Sequence, residues 1–297
     1  MTPDLDTLLT ALYVWIDDHV PRRRPTGRPP AFSDAELLTA ATAQALLQVT
    51  SERRWLRLIT GRLPGMFPAL PQQPGYNKRL RAAGHLLTRV MRDLARDTTF
   101  WHDDVWVADS TPVGCGSSRE TVRRSELAGY AQYGYCASHS RWFWGLRLHL
   151  VTTPAGLPIT WALAGAKTDE RDVLLDLLET EPDLLTHRPG QTILADKGYQ
   201  RREFEHRLAD HGVRLLIPAY RNQKPRPGQH LLKPFRQIIE SVNQTLKGQL
   251  DLEEHGARTI TGVCVRVAQR LLALTAAIWH NDRTGQPATR SLIAYDH

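Results

Sequence analysis

Cysteine is scarce in this 297-residue chain: Cys115, Cys136 and Cys264 stand far apart and form no CxxC pair. That spacing argues against a disulfide framework and against a structural zinc site. A reduced, intracellular setting is expected. No run of about 18 apolar residues occurs, so neither a membrane span nor a membrane partner is expected. The N-terminus, MTPDLDTLLTALYVWIDDHV, has no basic n-region and carries four aspartates, unlike a signal peptide. GxxxxGK[ST], HExxH and a full GxGxxG are all missing. Gly114-Cys115-Gly116 has neither the third glycine nor a preceding parallel-strand setting. Nucleotide hydrolysis, zinc proteolysis and dinucleotide redox chemistry therefore lack their usual signatures. There is no internal repeat, and no biased tract beyond one basic linker.

At 41% hydrophobic residues the chain can bury a core, which excludes a disordered protein. Its length suits one large domain, or a catalytic domain plus a smaller helical one. The formal charge of +7 and a pI near 9.5 favour a polyanionic partner, nucleic acid before anionic membrane.

Residues 4–19 read as an amphipathic helix, with Leu5, Leu8, Leu9, Leu12, Trp15 and Ile16 on one side. PRRRPTGRPPAF (21–32) cannot be helical, because proline removes donors and turns its neighbours away from the α region. It is either a solvated linker or a basic arm, with Arg22, Arg23 and Arg24 lying on phosphates. A helix starts at Ser33, where Ser33 and Glu36 offer a capping box. A break at Val49-Thr50-Ser51 leads into ERRWLRLI, with Arg53, Arg54 and Arg57. Two helices with a tight turn, the second basic, suit either a helix-turn-helix or a small bundle. One long helix is expected over about 77–97.

Near residue 103 the texture turns to short β-rich runs. Strands are expected over 103–113, 143–153, 157–164, 191–199 and 213–219, and helices over 169–180, 201–211 and about 232–250. The order β-β-β-α-β-α-β-α matches a ribonuclease-H-like layout, three antiparallel strands extended by parallel ones. The fold class is thus α/β: a mixed-sheet domain over 101–297, preceded by a small all-α region over 1–100 that includes the basic linker 21–32.

Asp109 follows Val105-Trp106-Val107-Ala108, and Asp196 follows Ile193-Leu194-Ala195. A carboxylate at the tip of a buried strand is costly unless something offsets its charge. Magnesium does so while keeping part of its shell for water and phosphate. Each aspartate alone is also compatible with the start of a turn. Glu240 lies at the edge of a helical face made by Phe235, Ile238, Ile239 and Val242, as a third acid or as a surface glutamate.

Ala-Asp-Ser (108–110), Leu-Ala-Asp-Lys-Gly-Tyr (194–199) and Arg-Gln-Ile-Ile-Glu-Ser-Val-Asn-Gln (236–244) resemble the three acidic motifs of insertion-sequence DDE transposases. Residues 135–150 are similar to the strand segment between the first two acids. The resemblance covers about 103–275. It implies Asp109, Asp196 and Glu240 as catalytic and metal-holding acids around two Mg²⁺ ions, with Mn²⁺ as a substitute, about 3.5–4 Å apart. Asp109 would bridge both ions. It further implies cleavage at a transposon end, joining of the freed 3′-OH to target DNA, and terminal inverted repeats as partners. A homodimer when ends are synapsed and a prokaryotic, cytoplasmic location follow. A related metal nuclease without joining and an inactive DNA-binding derivative are the alternatives. No Tyr-Arg-Glu-Lys-type signature surrounds Glu240, which leaves Glu253 or Glu254 as a fallback.

Arg147 and His149 share one strand face by alternation, and either border the acidic cleft as phosphate contacts or serve as a salt bridge and a structural histidine. Lys197 is a candidate phosphate contact, as is Lys247, two helical turns beyond Glu240; Tyr199 suits packing. Trp142, Phe143 and Trp144 suit either base stacking or the core. The basic stretches 119–124 and 221–226 suit phosphate contact or plain loop.

Overall fold

The computed structural model describes residues 4–21, 30–136, 140–186, 188–219, 228, 232–288 and 291–295. The chain divides into two compact units, residues 1–98 with 245–297, and residues 99–244. The boundary expected near residue 100 is thus joined by a second near 245: the C-terminal segment groups with the helices, not with the sheet as expected.

The helical unit contains α1 (Leu5–His19), α2 (Asp34–Leu46), α3 (Glu52–Arg62), α4 (Gln73–Ala82) and α5 (Gly84–Arg96). Asp4 caps α1 through the Thr7 N–H at 2.7 Å. The capping box of α2 forms as its sequence predicts, with Glu36 N to Ser33 Oγ at 3.0 Å and Ser33 N to Glu36 Oε2 at 2.6 Å. The turn into α3 passes through Gln48 in the left-handed region, and Ser51 caps α3. The single helix expected over 77–97 is two helices broken at Ala83. A Cβ on Gly84 would lie 3.1 Å from Val265 Cγ2, so the glycine permits a close approach to the long C-terminal helix.

That helix, α10 (Ile260–Arg283), packs on α1, α2, α4 and α5. By length and composition it is apolar enough to cross a membrane, which the sequence reading did not anticipate, yet most of it is buried inside this unit. Buried Arg270 donates to the Asp251 carbonyl at 3.2 Å, and burial pushes its guanidinium down to about 10. Arg266 pairs with buried Glu52 at 2.5 Å, and Asn77 donates to the same carboxylate at 2.9 Å. These bonds tie α3, α4 and α10 together through a satisfied buried charge pair.

The sheet unit holds β1 (Val105–Gly116), β2 (Gln132–Cys136), β3 (Arg141–Thr152), β4 (Pro158–Gly165), β5 (Thr192–Leu194) and β6 (Arg214–Leu216). The order is β2-β3-β1-β5-β6, with β4 also on β3. β3 runs antiparallel to β1, β2 and β4, whereas β5 and β6 extend the sheet in parallel from β1. This is the ribonuclease-H-like mixed sheet expected. α6 (Arg119–Arg124), α7 (Glu170–Thr180), α8 (Arg202–Asp210) and α9 (Leu232–Gly248) complete the elements. Trp106, Leu148, Leu150, Ile159, Ile193 and Ile217 are fully buried about the sheet. α6 falls in the basic stretch 119–124, for which no helix was expected, β2 lies just before the strand expected from residue 143, and β5 and β6 are shorter than the runs that announce them.

Candidate active site

β1 carries Asp109 out of its buried run Trp106-Val107-Ala108, in register with Leu150 of β3. β5 pairs in parallel with the start of β1 and delivers Asp196 just beyond Leu194 and Ala195. Asp196 therefore follows the end of β5 as its sequence setting predicts, whereas Asp109 lies within β1, which runs on to Gly116, and is not at the strand end expected for it.

Asp196 is exposed, and its Oδ1 accepts the Gly198 N–H at 2.7 Å. A Cβ on Gly198 would stand 2.9 Å from that oxygen, so the glycine of Asp-Lys-Gly-Tyr keeps the Asp196 carboxylate in place. Tyr199 is buried against Phe204 with ring centroids 6.1 Å apart, in the packing role expected of it. Burial and the surrounding carboxylates hold its phenol well above the ordinary range. Lys197 is exposed.

Burial pushes the Asp109 carboxyl up to about 7, and the negative charges of Glu170 and Asp196 push the same way. The Ser110 backbone N–H and the Asn243 side chain pull it back down. Asn243 Nδ2 donates to Asp109 Oδ2 at 2.8 Å. Asn243 lies on α9 three residues after Glu240, and buried Ile239 and Val242 seat that helix. Glu240 itself is exposed at the edge of the apolar face, where the periodicity placed it.

Arg147 is an ion-pair residue. Its Nη1 lies 2.9 Å from Glu170 Oε1 and 2.9 Å from Ser110 Oγ, and its Nη2 donates to the Tyr135 carbonyl at 3.1 Å. Ser110 Oγ in turn donates to Glu170 Oε1 at 2.6 Å. Asp169 caps α7 and sets Glu170 in its first turn, where a carboxylate is favoured by the helix dipole. Of the two readings of Arg147, the structure realises the salt bridge.

His149 requires a correction. It is buried between β1 and β4, opposite Ser110 and Ala162, and burial with the nearby Arg147 charge pushes it down to about 4. A neutral, enclosed imidazole does not make the phosphate contact expected from strand alternation, because both of its ring nitrogens are buried.

Lys247 likewise falls in the helical unit and pairs with Glu253 at 3.6 Å, so its ammonium serves a local ion pair. Glu253 and Glu254 belong to that unit also. Arg53, Arg54 and Arg57 lie on the exposed side of α3. Arg22, Arg23 and Arg24, and the stretch 221–226, lie outside the described residues. Trp142 is 72% exposed and its ring centroid is 5.3 Å from that of Tyr135; Phe143 is half-buried and Trp144 buried.

Sequence reasoning missed Glu170, Ser110 and Asn243. Asn243 had a usable signal, since a residue three positions from Glu240 shares its side of the helix. Glu170 had none, because only folding brings α7 to β1.

A divalent cation fits Asp109 and Asp196 chemically. Burial first, and the Glu170 and Asp196 charges after it, make Asp109 resist ionisation, and a cation beside it offsets both. Among the described residues, however, no group of three His, Cys, Asp or Glu side chains is drawn together closely enough to hold a metal ion as it stands.

The sheet has a ribonuclease-H-like strand order, with Asp109 inside β1 and Asp196 just beyond the adjacent parallel strand β5. The profile described as "Transposase DDE domain" matches residues 101–276, more than half of the chain. The chain belongs to the DDE transposase domain family. No curated protein matches it. Among solved structures it is similar to a piggyBac transposase synaptic complex with hairpin DNA, at 12% identity and a TM-score of 0.41, covering 97% of this chain and 75% of that one.

Proposed function

We propose that this chain is an insertion-sequence transposase that binds transposon-end DNA, cleaves it, and joins the freed 3′-OH to target DNA through Asp109, Asp196 and Glu240. The observation that carries this reading is the Asp109 carboxyl, buried and pushed up to about 7 beside Asp196 and Glu170. Such a group holds its proton more tightly than an ordinary carboxyl until a cation offsets its burial, and perturbed carboxylates of this kind cluster at functional sites.

Two divalent ions, Mg²⁺ or Mn²⁺ in its place, would supply activation of the attacking oxygen and stabilisation of the leaving one. Asp109 from within β1 and Asp196 from the end of β5 would hold them, and Glu240 would add its carboxylate from α9. Asp196 is pre-oriented by the Gly198 N–H. Arg147 pairs with Glu170 and so organises the wall of the site. The exposed arginines of α3 supply sequence-independent attraction for the duplex. Terminal inverted repeats and target DNA are the proposed partners, a homodimer the proposed synaptic species, and a prokaryotic cytoplasm the proposed setting.

The test is a cleavage and strand-transfer assay on DNA carrying the gene's own flanking sequences, with Mg²⁺ or Mn²⁺, comparing wild type with Asp196→Asn. Metal-dependent cutting lost in the variant, with a joined product in wild type, is expected. Cutting without joining would reduce the protein to a metal nuclease. Binding without cutting by wild type would remove the enzymatic reading.

A further inference from the structure

We propose that Asn243 is a positioning residue of this site: its side-chain amide sets the orientation of the Asp109 carboxylate and ties α9, and with it Glu240, to β1. This rests on the reading of Asp109, Asp196 and Glu240 as metal-holding acids.

The contact is specific. Asn243 Nδ2 reaches Asp109 Oδ2 at 2.8 Å across 134 residues of sequence. A carboxylate that binds a metal needs a fixed rotamer, and a hydrogen bond to one oxygen provides it. The chemistry of the donor matters as much. A lysine or arginine here would neutralise Asp109 and compete with a cation by charge. An amide donates without charge, so the negative field of Asp109, Asp196 and Glu170 is kept for a cation.

Asp196 is held by the same device, one oxygen accepting the neutral Gly198 N–H at 2.7 Å. The second consequence concerns α9. Glu240 and Asn243 are three residues apart and share one side of the helix. Val242 and Ile239 bury the adjoining side, but apolar packing by itself leaves a helix free to rotate or slide slightly. A directional bond from Asn243 to β1 sets that rotation, and Glu240 one turn earlier is set with it.

The experiment is Mn²⁺ binding to the DNA-free full-length protein, followed by calorimetry and by thermal shift. Wild type is compared with Asp109→Asn, Asn243→Ala, Asn243→Asp, Glu240→Gln and the double variant Asn243→Ala/Glu240→Gln. Asn243→Ala is expected to bind Mn²⁺ roughly tenfold more weakly. The double variant is expected to lose less than the product of the two single losses, because Asn243 acts partly through Glu240. Asn243→Asp places a second carboxylate against Asp109. It is expected to melt lower than wild type in EDTA and to gain more than wild type from Mn²⁺, which a purely structural residue would not do.

Wild-type Mn²⁺ affinity in a folded Asn243→Ala would overturn the proposal. If that variant does not fold, an Asn243→Asp protein that gains no more from Mn²⁺ than wild type does the same. Unchanged Mn²⁺ binding in Asp109→Asn is a separate result, which removes the metal site itself and this inference with it.

Discussion

Arg147 and Glu170, from the middle of β3 and the first turn of α7, meet at 2.9 Å with Ser110 bonded to both. The pair stands beside Asp109, whose carboxyl registers the Glu170 charge. Both side chains keep some solvent contact, 19% and 26%, so the bridge is neither a surface pair of negligible value nor a fully desolvated one. Glu170→Ala is expected to cost roughly 2 kcal/mol in urea unfolding, because it leaves the Arg147 guanidinium and Ser110 hydroxyl short of a partner. A cycle with Arg147→Ala should return a coupling of about 1 kcal/mol, and additivity would deny the pair any energetic role.

Asp109 links function to stability. Its folded value of about 7 lies above the ordinary 3.8, so the native state holds the proton more tightly. In EDTA this contributes stability at low pH that is lost as pH rises from 3.8 to 7, up to about 4 kcal/mol. Asp109→Asn is therefore expected to unfold at higher urea than wild type at pH 8, to show little difference near pH 4, and to cut no DNA. Equal stability of the two proteins at pH 8 would contradict the buried, unneutralised carboxylate.

His149 acts in an overlapping window with the opposite sign. Its folded value of about 4 lies below the ordinary 6.5. The native state therefore loses stability as pH falls from 6.5 to 4, by up to about 3 kcal/mol. Neither ring nitrogen has a hydrogen-bond partner among the described residues, so an apolar ring sacrifices nothing there. His149→Phe is expected to match or exceed wild type at pH 7 and to pull ahead as pH falls. A pH profile parallel to wild type would mean that His149 is solvated in the native protein.

Arg53, Arg54 and Arg57 give α3 a basic exposed face. If they lie on phosphates, each released counterion adds about 0.9 to the slope of log affinity against log salt. Replacing all three with alanine is expected to lower that slope by up to about 2.7 while leaving unfolding within about 0.5 kcal/mol of wild type. An unchanged slope would move the DNA interface elsewhere.

Local signals account for much of what was legible. β1, β3 and β4 announce themselves by apolar runs with β-branched and aromatic residues, and α2 by its capping box. β2 was not legible because Gln132-Tyr133-Gly134-Tyr135-Cys136 has a central glycine and three exposed residues, so neither propensity nor an apolar face marks it. α10 escaped for the opposite reason: it is buried along most of its length, which erases the amphipathic period that reveals surface helices. The expected helix over 77–97 is interrupted at Ala83, next to Gly84, whose missing side chain leaves room for Val265, a residue far away in sequence.

The sequence by itself determined the acids and their local settings: Asp109 after the apolar run of β1, Asp196 at the end of an apolar strand, and Glu240 at the edge of an apolar helical face. Those are consequences of strand and helix periodicity, which act over a few residues. Only the tertiary structure decided which neighbours those acids have. The Asn243 bond to Asp109, the Glu170–Arg147 pair beside it, the enclosure of His149 and the capture of Lys247 by Glu253 all depend on which elements pack together. Charge and burial at each site are sums over groups distant in the chain, and a linear reading has no access to that sum before folding.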